Sequence, residues 1–248
     1  MDRKYKISVV IPVFREEKRI SRCIDESIFY FSNNPSISDF ELIFVADSSG
    51  DKTISIIRKR TFSDRRIRLI VNNDRLEKGF SVKEGMLSAK YDLMLFYDAD
   101  LSVPLTEIGN FLAKISRHDI LIASRGLPDS RVQKKFFKIL LSRLFSAVKL
   151  VMLGVNYHDT QCGFKMFRKK TLVLFRQQRI KSSCFDVELL YNAGLHNFSV
   201  KELPVTWIDS DRSNFNTLKV IGRFIVDIMR IRYYSWSGKY GPAAGKAK

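Results

Sequence analysis

Four short apolar runs, KISVVIPVF (6–14), FELIFVA (40–46), RIRLIVNN (66–73) and YDLMLFYDAD (91–100), alternate with segments of helical periodicity inside the first hundred residues. No other feature restricts the fold so strongly. Short runs rich in Val, Ile and Phe suit strands buried on both faces. The segments between them, REEKRISRCIDESIFYF (15–31), TISIIRKRTF (53–62) and the stretch after Gly79 with Val82, Met86 and Leu87, supply the crossovers. This alternation predicts βαβ units and a mostly parallel sheet. Right-handed crossovers then bring the post-strand loops to one edge. Ligands of such sheets bind outside the carboxyl ends of the strands. That edge gathers Pro12–Glu16, Asp47–Asp51 and Asp98–Asp100, with Asp51 placed to cap the helix at 53–62.

Asp98 and Asp100 flank a single alanine in FYDADLSVP (96–104). Within a strand they would point to opposite faces. If the strand ends at Asp98, both carboxylates converge at its rim and offer hard oxygen ligands to Mg²⁺ or Mn²⁺; the alternative is a pair of solvated loop aspartates. The edge loops contain neither GxGxxG nor GxxxxGK[ST], so a dinucleotide fingerprint and a P-loop are both excluded. Phosphates must be held another way, and a metal on these two aspartates would do it.

Beyond residue 103 the character changes. LTEIGNFLAKI (105–115) reads as an amphipathic helix and DILIASR (119–125) as a further strand. The segment 130–154 predicts a long helix with Lys135, Lys138, Ser142, Ser146 and Lys149 as a narrow polar stripe. NTLKVIGRFIVDIMRIRYYSWSGKY (216–240) sets Leu218, Ile221, Ile225 and Ile228 against Lys219, Arg223, Asp227 and Arg230, then ends in Tyr233, Tyr234 and Trp236. Each helix is either packed in the core or laid in a membrane interface. The tail 241–248 is small-residue rich and expected to be flexible.

Charge is placed unevenly. The net charge is +17, yet residues 1–124 hold 20 Lys/Arg against 18 Asp/Glu, whereas 125–181 hold 14 against only Asp129 and Asp159. A basic second half implies an anionic partner: nucleic acid, a membrane surface or a phosphorylated substrate. Nucleic acid is disfavoured, because the acidic edge would repel phosphates and no nucleic-acid motif is present. Cys23, Cys162 and Cys184 are too few and too scattered for a disulfide framework or zinc site, and read as free thiols. His118, His158 and His196 lack metal-ligand spacing. No signal peptide and no apolar run long enough to span a bilayer are apparent. The expectation from composition is a soluble or peripheral protein. Oligomeric state leaves no signal.

Taken in order, VVIPVFREE, ELIFVADSSGDKT, FYDADLS, ASR, DTQCGFKMF and FDVELL resemble glycosyltransferase family 2 over about residues 6–210. Within it the chain looks like the polyprenyl- and dolichyl-phosphate hexose synthases, with DTQCGFK the most telling piece. The resemblance implies a GT-A fold: a Rossmann-like, mostly parallel sheet flanked by helices. It divides the chain into a catalytic domain (1–210), a basic amphipathic interface helix (211–240) and the tail. It implies inverting transfer of a hexose from UDP-glucose, or next GDP-mannose, to dolichyl or polyprenyl phosphate, by a peripheral enzyme on the cytoplasmic face of a membrane. Pro12, Val13, Glu16, Asp47 and Ala99 would contact the nucleotide sugar, and Asp98 and Asp100 would hold the metal and diphosphate. Arg125 would engage phosphate, with Arg143 as a second cation. A lipid phosphate is already anionic, so the acceptor calls for cations and positioning, not a base. Arg131, Lys134, Lys165 and Arg143 fit that need, while Asp159, Gln161, Asp186 and Glu188 are acceptor-side candidates; Glu188 reads equally as an exposed helix residue. The chain departs from the pattern at Phe14 and Arg15, at Ala46, and at Ser102. The rival readings are a family-2 transferase with a soluble, glycolipid or polysaccharide acceptor, a nucleotidyltransferase, and a non-enzymatic nucleotide-sugar binder.

Overall fold

The computed structural model describes residues 4–132, 136–208 and 217–241, the side chains of 136–144 and 217–220 excepted. The elements run β1 (Tyr5–Val13), α1 (Ile20–Asn33), β2 (Ile37–Asp47), α2 (Thr53–Ser63), β3 (Ile67–Asn72), α3 (Glu77–Leu87), β4 (Leu93–Tyr97), α4 (Ile108–Lys114) and β5 (Ile120–Ser124). They continue with β6 (Arg131–Val132), α5 (Phe136–Leu153), β7 (Phe164–Arg168), α6 (Leu172–Gln177), α7 (Phe185–Leu195), β8 (Val200–Pro204), β9 (Thr206–Trp207) and α8 (Thr217–Trp236).

Seven strands form one sheet in the order β3-β2-β1-β4-β7-β5-β8. All pairings are parallel except those of β7, which runs antiparallel to both β4 and β5. Alternate residues of each strand face opposite helical layers. Ile7, Val9 and Ile11 pack toward α1, α2 and α4, while Val10, Ile43 and Phe96 pack toward α3, α6, α7 and α8. Both faces are covered, which is why the sequence shows apolar runs instead of alternation.

Three expectations need correction. The first helix begins at Ile20 because Arg15 takes a left-handed φ of 59° and the following acids form a turn. The long helix begins at Phe136, not 130; Arg131 and Val132 pair instead with β9 in a small second sheet. Lys149 is no headgroup-facing cation. It is buried and its Nζ donates to Thr160 Oγ1 at 2.9 Å.

α8 packs on the domain through Phe224, Asp227, Ile228 and Ile231, and Tyr240 beyond it is buried. Ile225, expected beside Ile228, faces outward. With Val226, Met229, Tyr233 and Trp236 it forms an exposed stripe; the end of α5 also exposes Leu150, Val151 and Met152. No described helix is long and apolar enough to cross a membrane. Lys134, Lys135, the boundary at 210/211 and residues 242–248 lie outside the described residues, as do the side chains of Lys138, Ser142, Arg143, Leu218 and Lys219.

Candidate active site

The carboxyl ends of β1, β2 and β4 open into a cavity of about 610 Å³. Parallel register sets Pro12 beside Val45 and Val13 beside Ala46, so the loops after these strands emerge at one level. Of the expected contacts, Pro12, Val13, Glu16, Asp47, Asp98, Ala99, Asp100 and Gln161 all line this cavity. Three of the four described non-glycine residues with positive φ also sit at this edge: Arg15, Glu77 and Leu101. Such conformations persist only where the surroundings enforce them.

β4 ends at Tyr97, so the chain turns at Asp98, where the Leu101 amide donates to the Asp98 carbonyl at 3.1 Å. Asp98 and Asp100 therefore share the rim. The Asp100 carboxylate accepts the Ser102 amide at 3.0 Å. Asp98 pairs with Lys78 Nζ at 2.6 Å. Desolvation opposes the charge on Lys78, but Asp98 and Asp186 outweigh it and raise the ammonium above its ordinary value. Antiparallel pairing of β4 with β7 sets Tyr97 opposite Phe164, which brings Gly163 against the Asp98 carboxylate. A Cβ on Gly163 would stand 2.0 Å from Asp98 Oδ2. The glycine of DTQCGFK is thus the floor on which the first aspartate rests. Two carboxylates on one cavity wall form an all-oxygen donor set of the kind that holds a hard divalent ion together with substrate phosphates.

On the β1–β2 side of the cavity, Asp47 is buried and accepts from Asn72 Nδ2 (3.0 Å), Ser81 Oγ (3.0 Å) and the Glu77 amide (2.9 Å). Glu16 is pushed above its ordinary value by burial, against Arg19, with Asp100 and Asp98 adding to the rise. Asp51 accepts the Thr53 amide and hydroxyl at the start of α2, and the Glu17 amide at 3.4 Å, so it ties the first two loops together. Phe14 stands in the wall beneath the Arg75 guanidinium, 4.5 Å from ring centre to carbon.

The remaining expected residues stand elsewhere. Arg125, at the end of β5, is gripped by Asp159 through Nε (2.6 Å), Nη2 (3.1 Å) and its own amide (3.0 Å). Burial pushes the Asp159 carboxyl up, but Arg125 and the Gln161 amide overcome it and hold the group below the carboxylate range. Asp159 is therefore a positioning residue for Arg125. Lys165 is fully buried between β4 and β5, its Nζ on Asp186 (2.6 Å) and the Cys162 carbonyl (2.6 Å). Neither partner has a face left for an acceptor. Glu188 is not exposed at all; it accepts the Arg179 and Ile180 amides and the Tyr240 hydroxyl. Arg131 is exposed on β6. All three cysteines are buried and free, with Cys23 and Cys162 pushed up to about 12 by burial.

Sequence reasoning missed Lys78, Arg75, Ser182, Ser183, Phe145 and the α8 residues Arg223, Phe224 and Asp227, all in the cavity wall. Lys78 had a signal, a lone cation beside Gly79 at the start of a helix next to the edge. The others reach the wall only through tertiary packing.

The Glycosyl transferase family 2 model matches residues 8–174. The dolichyl-phosphate beta-glucosyltransferase of Dictyostelium discoideum is 31% identical over 244 residues, covering 92% of this chain and 74% of that one. The human dolichyl-phosphate beta-glucosyltransferase is 27% identical, covering 84% and 69%. Among solved structures, glucosyl-3-phosphoglycerate synthase from Mycobacterium tuberculosis, in complex with Mn²⁺, UDP and glucosyl-3-phosphoglycerate, superposes with a TM-score of 0.63 at 16% identity, covering 97% and 82%. At that identity the likeness speaks for the GT-A fold alone.

Proposed function

The chain belongs to glycosyl transferase family 2, and we propose that this glycosyltransferase moves glucose from UDP-glucose to a dolichyl or polyprenyl phosphate at a membrane surface. One observation carries the proposal: similarity to dolichyl-phosphate beta-glucosyltransferases over 92% of the chain. A β-linked product from an α-linked nucleotide sugar requires inversion, hence a single displacement.

In this reading Pro12, Val13, Glu16 and Asp47, with the Phe14–Arg75 wall, take the nucleoside. The diphosphate lies against Asp98, Ala99 and Asp100, with Lys78 close enough to swing from Asp98 onto a phosphate oxygen. A divalent ion such as Mg²⁺ or Mn²⁺ on Asp98 and Asp100 would neutralise charge on the leaving group. An acceptor phosphate oxygen attacks C1 of the sugar from the face opposite UDP. The C1–O bond to the diphosphate breaks and its electron pair departs with UDP. No base is required, because the attacking phosphate is already deprotonated at neutral pH. Lys78 supplies fixed positive charge where negative charge moves; Arg125, held by Asp159, stands outside the cavity wall and acts on the site through its charge, which Asp98 feels. The exposed apolar stripe of α8, flanked by arginines, supports a peripheral seat on the membrane, and three free thiols suit its reducing, cytoplasmic side.

The test is a donor panel of UDP-glucose, UDP-GlcNAc, UDP-galactose and GDP-mannose with Mg²⁺ or Mn²⁺ and dolichyl phosphate, following label into the organic phase. Metal-dependent transfer of glucose is expected. Transfer only to water-soluble acceptors, or from no donor, would overturn the proposal.

A further inference from the structure

A second cavity of about 280 Å³ lies beside the donor cavity, between the start of α3, the 179–182 loop and α8. Its wall carries four cations, Arg179, Lys181, Arg223 and Arg230, against the carboxylates of Glu77 and Asp227. The donor chemistry accounts for none of these cations.

The frame of this groove is fixed from within. Glu188 accepts the Arg179 and Ile180 amides at 2.8 and 2.9 Å, so the loop bearing Arg179 and Lys181 has a set course. Asp227, only 2% exposed, accepts the Ser182 hydroxyl at 2.6 Å and Arg230 Nη1 at 3.1 Å. Arg223 Nη2 reaches Glu77 at 2.6 Å. Arg223 and Arg230 are thus each oriented through one part of the guanidinium, Arg179 lies over the Tyr234 ring, and a guanidinium has five N–H donors. Those left over are available to an anion, which guanidinium binds with strength and geometric fit.

Position narrows the anion's class. Arg223 and Arg230 are seven residues apart, so they stack two turns from one another along one flank of α8. Next to that flank runs the exposed stripe of Ile225, Val226, Met229, Tyr233 and Trp236. A helix lying with such a stripe in the acyl region holds its flanking arginines at headgroup depth. Cationic groove and apolar stripe side by side complement one kind of molecule, a phosphate carried on a hydrocarbon tail.

We infer that this groove binds the phosphate headgroup of a membrane amphiphile, whose chain lies along the α8 stripe. The groove shares Glu77, Ser182, Arg223 and Asp227 with the donor cavity, so the bound phosphate sits at its entrance. That the amphiphile belongs to a membrane rests on the peripheral-membrane reading; the affinity of the groove for a phosphate amphiphile does not. Two sources have this chemistry, a bilayer phospholipid and the prenyl phosphate acceptor.

Calorimetric titration of the full chain with probes that stay monomeric in water tests the groove without a membrane. The probes are dihexanoyl phosphatidic acid, citronellyl phosphate, dihexanoyl phosphatidylcholine and inorganic phosphate. We expect at least one phosphate amphiphile to bind the wild type and to bind Lys181→Gln/Arg230→Gln about tenfold or more weakly. The charge-matched Lys4→Gln/Lys90→Gln variant, at the opposite end of the sheet, should bind within twofold of wild type. Tighter binding of the phosphatidic acid assigns the site to a bilayer lipid, and tighter binding of citronellyl phosphate assigns it to the acceptor. Failure of both amphiphiles, equal weakening in both double variants, or equal affinity for inorganic phosphate would each overturn the inference. Sedimentation with phosphatidylcholine vesicles containing phosphatidylglycerol reads the membrane assignment separately. If the wild type stays in the supernatant yet binds the short amphiphiles through these cations, the membrane reading falls and the groove stands.

Discussion

Gly163→Ala isolates the link between the fold and the first aspartate. The added Cβ would lie 2.0 Å from Asp98 Oδ2, 2.6 Å from Cγ and 2.9 Å from Oδ1, where ordinary contact begins at 3.4 Å. The two groups must therefore separate by about 1.4 Å. Gly163 is held by the β4–β7 register beside a fully buried Phe164, so the carboxylate is the part that gives. Asp98 is a side chain with 39% exposure, and its movement strains no backbone. Its pairing with the half-buried Lys78 is worth at most about 1 kcal/mol, so Tm should fall by only a few degrees. Function should suffer far more. A displacement on the order of 1 Å of a positioned group costs about 100-fold, about 2.7 kcal/mol of barrier. The assay is kcat/KM for transfer to dolichyl phosphate, with Mn²⁺ and UDP affinities measured alongside. Gly109→Ala is the control, because a Cβ there meets nothing within 4 Å. Activity of Gly163→Ala within threefold of wild type, at unchanged Tm, would refute the placement of Asp98 at the reacting diphosphate.

Lys78→Met removes the cation beside Asp98, and loss of one charge-assisted contact worth about 1.5–3 kcal/mol should weaken UDP binding roughly ten- to a hundredfold; unchanged affinity by calorimetry would make Lys78 a purely structural partner. Tyr240→Phe deprives buried Glu188 of its hydroxyl donor and should cost about 2 kcal/mol, a Tm loss of roughly 4–8 °C in calorimetry. The Asp159 carboxyl is held below the carboxylate range in the folded chain, so the folded state binds fewer protons there than the unfolded one. Its contribution is complete above the ordinary carboxylate value of about 4 and is lost as pH falls below it. Asp159→Asn should therefore be less stable than wild type at neutral pH, yet show a shallower decline of Tm from about pH 4 downward.

The sequence made the sheet legible where burial is simple. β1 to β5 are apolar runs closed by Pro, Asp, Asn or Arg, and the loops after β1, β2 and β4 carry the cavity-lining residues in their own motifs. β7 is illegible as a strand because Lys165 interrupts its five residues, and a buried lysine reads as surface until its partner Asp186, 21 residues on, is seen. β6 and β9 are two residues each, too short to leave a pattern. The polar stripe of α5 misled at Lys149, whose partner Thr160 belongs to the following loop. The far wall of the cavity comes from α3, α8 and residues 182–184, and no local periodicity says that these converge.

The acceptor-side carboxylates carry the larger lesson. The sequence offers Asp159, Asp186 and Glu188 two tasks, orienting cations on the acceptor side or contacting sugar hydroxyls. Each meets a partner inside the protein, a cation for Asp159 and Asp186 and amides and a hydroxyl for Glu188, and each thereby fixes a wall. Asp159 aims Arg125; Asp186 holds Lys165, which also grips the Cys162 carbonyl one residue before the glycine under Asp98; Glu188 sets the course of the 179–180 loop and anchors the chain beyond α8. Leaving one member of such a buried pair alone costs several kcal/mol, so these positions are restricted as tightly as contact residues would be. A motif of this kind records the geometry that displacement at C1 requires, with donors and charges placed before substrate arrives. That is why DTQCGFK points to the chemistry although, of its charged residues, neither Asp159 nor Lys165 lines the cavity.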